Sequence, residues 1–550
     1  MRMSIILGLT LFCLLGSVQS AATLERLLVS HPEEWQDLAL TKTSGSLPGW
    51  LSGTLYRVGP GLFEHGRRSV NGLTDGLAKV HSWSFPGNGG DVSYTGKMLK
   101  SGVYNASTVF SNSIFAPYPV CGDVVPDFNI IEKARVTMGG VDYFDNTNIA
   151  VWNLDNGNTV TVTGESPKMN QIHRDSLDMI RQPVLAINER LMSMFSASHF
   201  SKHPMDGSSF NYIASLSMNP LNPFNPVTAR YEFYRYTSSE GGHVKHELIG
   251  SIPMDCSFNL WPLNPKMSCD IRLIHAFGLT QNFIVVPRWN YYFDFTISIR
   301  NLQWSHMHMC DSIKFLYGKP AYVDIMDIIS GDVHHFILPN EFQAVHPMNT
   351  FERTNSAGQR EVVMDYPTMT DVHKHKLNEH CMFDVLKIPF INDPEYMYEN
   401  LPWDTTLRRF VFNLDTGRHS ISDFPQLWRP VDALVEFPYI NPEYLGKEYC
   451  FAYFQQWQYR EMSMDLLKYD VCKLEVLRWH EENKHVQEPV YAPNPNSVRE
   501  DDGVIVAPVF DSITNGTEIY VWNATDLSVL AIYDNKVPVT MTIHGMWFED

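Results

Sequence analysis

The residues in this chain best suited to chemistry are its histidines, 21 of them among 550 positions. Neutral imidazole is a ligand for iron, zinc, copper and nickel. Two pairs stand close in sequence: His306 with His308, and His373 with His375. On a strand, residues i and i+2 share a face, so either pair can chelate. Neither is accompanied by the carboxylates or cysteines of a compact metal site, and a solvated loop pair is the simpler reading. A second set is dispersed. His275 lies in IHAFGLTQNFIVV, His346 in VHPMNTFE, His544 in TIHGMWF, and His199 in SASH, just ahead of the turn-like HPMDGSS. Each borders a strand-like run, so four strands can bring four imidazoles to one point. No glycine fingerprint of a dinucleotide-binding turn follows a strand, and no organic cofactor is implied.

The elements that must position these histidines read as strands. Short runs rich in β-branched and aromatic residues recur between Gly, Pro, Asn and Asp, among them Thr159–Thr163, Phe283–Val286, Gly503–Val509 and Glu518–Trp522. Helical periodicity is scarce; Glu461–Lys468 is the helix expected in a longer connection. So many short strands in one chain predict an all-β closed structure, a large barrel or a propeller. No repeat of fixed period is legible, so the strands alone do not choose between these.

Composition narrows the function classes. Net charge is −19 with no basic block, which disfavours nucleic acid as a partner. Arg2 followed by the apolar run Ile5–Leu15 and the small residues up to Ser20 has the anatomy of a cleavable secretory signal. Residues 1–20 are therefore expected to be a signal peptide and 21–550 a single domain, secreted or lumenal. Removing Cys13 with the signal leaves seven cysteines and no CxxC spacing, compatible with one or two disulfides in a secreted protein. Asn105, Asn515 and Asn523 open N-x-S/T sequons, in agreement with that route.

The motifs around the dispersed histidines carry a resemblance. YRVGPGLFEHG (Tyr56–Gly66) and DGLAKVHSWSF (Asp75–Phe85) are followed in order by IHAFGLTQNFIV, VHPMNTFE, LVEFPYIN (Leu434–Asn441), EYCFAYF, QEPVYAP, EDDGVIV and the terminal IHGMWF. In content, order and spacing these resemble the carotenoid cleavage oxygenase family, especially its animal branch of beta-carotene oxygenases and retinoid isomerohydrolase, over nearly the whole mature chain.

The resemblance implies a seven-bladed β-propeller with a lid over the face that bears one Fe(II). The implied iron ligands are His275, His346, His544 and a first histidine in SASHFSKHPMDG. There His199 keeps the preceding strand and His203 keeps the following proline; His199 is the preferred assignment. Ligand histidines normally donate their second ring N–H to a carboxylate or carbonyl. The family uses three glutamates for this, and Glu436 and Glu488 match two of them. At the third position, where the family reads Glu-Thr-Asn, this chain has Asn146, whose carbonyl can accept the proton but brings no charge. The implied activity is O₂-dependent cleavage of one double bond of a carotenoid or related polyene, with no catalytic side chains beyond the iron ligands and products such as retinal. Retinyl ester isomerohydrolysis is the alternative within the family. A secreted carotenoid-binding protein without turnover is the alternative outside it, motivated by Asn146 and the altered first-ligand segment. The apolar stretches Phe258–Met267 and Arg288–Phe295 are expected at the lid and tunnel entrance, with peripheral membrane contact as one consequence.

Overall fold

The computed structural model describes residues 26–110, 113–114, 122–132, 145–154, 157, 159–181, 192–218, 227–238, 244–259, 266–294, 312–370, 404–427, 433–458 and 463–550. The candidate signal (residues 1–20), both close histidine pairs, and Cys121, Cys310 and Cys381 lie outside them.

Seven antiparallel sheets of four to six strands follow one another along the chain. We number them blades 1 to 7. Blade 1 is built on Ser52–Leu62 and Leu77–Pro86, blade 2 spans 150–181, blade 3 spans 192–254 and blade 4 spans 278–337. Blades 5, 6 and 7 span 343–423, 433–479 and 484–534. The four strands named from sequence all form, at Thr159–Thr163 and within Phe283–Arg288, Gly503–Asp511 and Gly516–Asn523.

What makes these sheets a ring is the way their apolar faces are shared. A strand buried on both faces needs a neighbour on each side, and a closed ring gives every blade two. Seven hydrophobic clusters occupy the seven junctions. Val151 and Val160 of blade 2 pack against Tyr56 and Val80 of blade 1, and Ile213 of blade 3 packs with Leu154 and Met169. Blades 3 and 4, 4 and 5, 5 and 6, and 6 and 7 meet in the same manner. The last junction returns to the start, where Val504 and Ile519 of blade 7 pack against Leu55, Trp83 and Tyr94 of blade 1. The chain is therefore a seven-bladed β-propeller.

Two strands lock the ring by crossing that junction in opposite directions. Thr41–Gly45, from the start of the chain, pairs with Val529–Asp534 at the outer edge of blade 7. His544–Glu549, from the end, pairs with Ser52–Leu62 and becomes the inner strand of blade 1.

The expected helix at Glu461–Lys468 is not present: Ser463–Asp470 is a fully buried strand of blade 6. Its polar residues are paired rather than solvated, Asp465 with Arg478 and Lys468 with Asp501. Three small sheets and the short helix Gly102–Asn105 lie outside the blades, and two of those sheets carry the stretches expected at the lid. Of the stretches expected there, Cys256–Asn259 and Lys266–Cys269 form a hairpin. Tyr291 and Phe293 are instead buried in the core between blades 3 and 4, where burying aromatic surface outweighs any role at an entrance. Among the described residues, two disulfides, Cys256–Cys269 and Cys450–Cys472, tie the ends of hairpins.

Candidate metal centre

The inner strands deliver the site by leaving their ladders at matching places. In blade 3, Ser196 pairs with Ile213 and Ser201 with Phe210, so residues 197–200 face only 211–212 and bulge inward with His199. Asn211 holds the bulge, its amide bonding both the N–H and the carbonyl of Ala197. In blade 5, Ala344 pairs with Thr368 and Asn349 with Asp365, so 345–348 face 366–367 and carry His346 off the sheet. Blade 6 has a register shift between Glu436 and Tyr439, with Phe437 in the left-handed region at φ 55°. That conformation is uncommon for a bulky residue and belongs with a functional bend. In blade 7, residues 487–489 bulge against 507–508 and bring in Glu488. His275 precedes Gly278–Leu279, held by the Tyr212 hydroxyl donating to the Ile274 carbonyl at 2.8 Å. His544 is the first residue of the closing strand.

The four imidazoles meet. Their candidate ligand atoms all lie within 4.8 Å of one another, and His199 sits 5.0, 5.0 and 4.3 Å from His275, His346 and His544, ring centre to ring centre. Each of three rings has its Nδ1 on a carboxylate. His346 donates to Glu436 Oε2 at 2.8 Å, His544 to Glu488 Oε1 at 2.7 Å, and His275 to Glu165 Oε1. A carboxylate only accepts, so Nδ1 carries the proton and Nε2 presents a lone pair. Yet His275 Nε2 and His346 Nε2 lie 3.1 Å apart. Two lone pairs at that distance repel unless a cation sits between them. His199 Nε2 is buried with no hydrogen-bond partner. A buried acceptor of this kind calls for a ligand. Burial first, and then the neighbouring imidazoles, hold His199 and His544 well below the usual histidine range, which keeps them neutral as ligation requires. The donor set fits a divalent transition metal.

The structure brings His199, Glu436 and Glu488 together with His275, His346 and His544, and keeps two other residues apart from them. His203 is turned away, bonded to Asp206 at 2.9 Å and to the Gln281 carbonyl at 3.0 Å. Asn146 is not a partner of any ligand histidine. Its Oδ1 accepts from the Ala78 N–H at 2.9 Å and its Nδ2 donates to the Gly76 carbonyl at 3.0 Å, so both ends of the amide are committed to backbone. The third carboxylate is Glu165, in the turn after Thr159–Thr163 of blade 2. That turn is fastened to blade 3: the Ser196 N–H donates to the Glu165 carbonyl at 3.1 Å, and the Thr163 hydroxyl to the Ser198 carbonyl at 2.6 Å. Seven blades therefore contribute seven residues in ring order: His544, Glu165, His199, His275, His346, Glu436 and Glu488. Only Glu165 went unread, because GESP looks like any surface turn.

Beside the histidines lies a cavity of about 330 Å³, walled by Trp152, Phe200, Phe437, Tyr439, Met546 and Trp547 among others. The Phe437 ring stands 5.5 Å from His346 and 5.1 Å from His544. Burial pushes Glu488 up to about 7, against the pull of Arg57.

A β-propeller with a four-histidine, three-glutamate axis defines the class. The sequence profile of the RPE65 family, described as "Retinal pigment epithelial membrane protein", matches residues 29–549, and the chain belongs to this family of carotenoid cleavage oxygenases. It is 24% identical to rat beta,beta-carotene 15,15'-dioxygenase over 94% of this chain and 90% of the rat protein. It is 22% identical to chloroplastic carotenoid cleavage dioxygenase 8 of Arabidopsis thaliana, over 94% of this chain and 84% of that one. Among solved structures, a mutant of Synechocystis apocarotenoid oxygenase superposes with a TM-score of 0.74 at 18% identity, covering 96% of this chain and 99% of the other. The cobalt-substituted form of that oxygenase gives 0.69 at 18% identity, with coverage of 96% and 99%.

Proposed function

We propose that this protein is an Fe(II)-dependent dioxygenase that cleaves one double bond of a carotenoid or related polyene with O₂, giving two carbonyl products. The observation that carries the metal is the pair of Nε2 lone pairs 3.1 Å apart, each fixed in its tautomer by a carboxylate. Relatives named as carotenoid dioxygenases support the substrate class. Four neutral ligands would leave an iron ion's charge uncompensated by the residues that hold it, which suits a metal that must meet O₂. Bound iron would supply activation of O₂ toward the double bond.

The chain's own residues do the rest. Glu165, Glu436 and Glu488 orient three imidazoles through Nδ1 and raise their donor strength. Phe437, Tyr439 and Trp547 make the space beside the metal apolar, so that water is a poor competitor for it. No side chain is assigned as general acid or base. The carrier reading loses its ground, because Glu165 restores the carboxylate that Asn146 lacks and His199 completes the histidine set.

The protein is further proposed to pass through the secretory pathway. The disulfides Cys256–Cys269 and Cys450–Cys472 support this, since such bonds persist in oxidising compartments. Peripheral membrane contact is proposed as well, supported by the exposure of Val109, Ile130 and Ile131.

The test is a product assay under air with purified, iron-loaded protein and a panel of carotenoids, stilbenes and retinyl esters. New aldehydes or ketones from a polyene are expected. Retinol from an ester would replace this reading by isomerohydrolysis, and bound but unchanged pigment would remove turnover.

A further inference from the structure

Arg57 sits on Ser52–Leu62, opposite Gly545 on the closing strand, and is completely buried. Every part of its guanidinium is used. Nη1 donates to the Glu488 backbone carbonyl at 2.8 Å and lies 3.4 Å from the Glu488 carboxylate. Nε donates to Thr542 Oγ1 at 2.6 Å, and Nη2 to the Ile543 carbonyl at 3.3 Å. Glu488 is held from the other side, where Oε1 accepts from His544 and Oε2 from the Gly545 N–H at 2.7 Å. Arg57 therefore grips both the carboxylate that orients His544 and the segment that leads into His544.

We propose, resting on the reading of a bound divalent metal, that Arg57 is a positioning residue of that centre, fixing Glu488 against His544 and supplying the cation that balances the third carboxylate. A divalent ion, three carboxylates and one guanidinium leave no net formal charge, whereas without Arg57 the buried centre is anionic. Unbalanced charge in a low-dielectric interior is costly. Among the described residues no lysine or arginine forms an ion pair with Glu165 or Glu436, so this compensation enters through Glu488 alone. His81, in register with Arg57 on the next strand, is held neutral, by burial above all, and does not supply the charge. The room for Arg57 comes from Gly545: a Cβ there would stand 2.7 Å from Arg57 Cγ and 2.9 Å from the Tyr56 carbonyl oxygen. A lysine would bring the charge but not the fork that reaches three acceptors at once.

The test uses the full-length protein, stripped of metal and titrated with Co²⁺ against a competing chelator, with the visible absorption of the bound ion as a second readout. Arg57→Lys is expected to weaken binding about tenfold and to shift the absorption bands, Arg57→Met to weaken it about 100-fold, and Thr542→Val to weaken it less than either. Arg57→Lys and Thr542→Val keep the question open to refutation if Arg57→Met does not fold. Wild-type uptake with unchanged affinity and spectrum in folded Arg57→Lys, even with a lowered unfolding temperature, would make Arg57 a purely structural residue and overturn the proposal alone. A wild-type protein that takes up no Co²⁺ would overturn the metal reading and this proposal together.

Discussion

The two sides of the candidate metal centre are built differently. On the side of His346 and His544, the supporting carboxylates Glu436 and Glu488 have side chains only 6% and 7% exposed, each in a bulge of its own inner strand. On the side of His199 and His275, there is one carboxylate for two imidazoles. Glu165 is 28% exposed, arrives from a turn rather than an inner strand, and bonds only His275. Electrostatic support is stronger where water is excluded. The first side should hold the metal firmly, and the second should be the more forgiving.

The largest effect tests the ligands themselves. His346→Ala or His544→Ala should abolish metal binding, and elemental analysis of the purified variants reads this directly. Next come the carboxylates. Glu488→Gln and Glu436→Gln should each weaken metal affinity by about 10–100-fold, while Glu165→Gln falls at or below the bottom of that range. Chelator competition on the three variants measures the contrast; equal losses would show that exposure does not grade these supports. A third variant separates Asn146 from the site. Asn146→Glu removes the donor to Gly76 and sets a carboxylate against that carbonyl, so stability should drop by about 1–3 kcal/mol in urea unfolding. Metal affinity should stay where it was, and any tightening would mean that Asn146 reaches the histidines after all. The smallest effect is expected from His203→Ala, which breaks its contacts to Asp206 and Gln281 and should leave metal content unchanged.

The same contrast explains what could be read from the chain. His275, His346 and His544, with Glu436 and Glu488, lie inside ordered motifs because each bulge that aims them needs particular neighbours, such as Gly545 beside Arg57. Glu165 has no such neighbourhood: a turn held by backbone bonds to Ser196 looks like any other. Asn146 holds the motif position yet bonds to backbone, because a motif position does not reveal which partner a side chain meets. The strand Ser463–Asp470 reads as a helix because its Asp465 and Lys468 are polar at helical spacing, and only their partners Arg478 and Asp501, on later segments, make a strand of them. The seven blades came from resemblance, since sheets of four to six strands with unequal connections carry no period.

The closing strand has a consequence for how the protein is made. His544 is the last of the seven axial contributions to be synthesised, and it takes its place only by returning to pair with Ser52–Leu62 at the start of the chain. A growing polypeptide holding His199, His275 and His346 has three scattered imidazoles and no fourth. A metal held by all four histidines would therefore need the closing strand to be in place first.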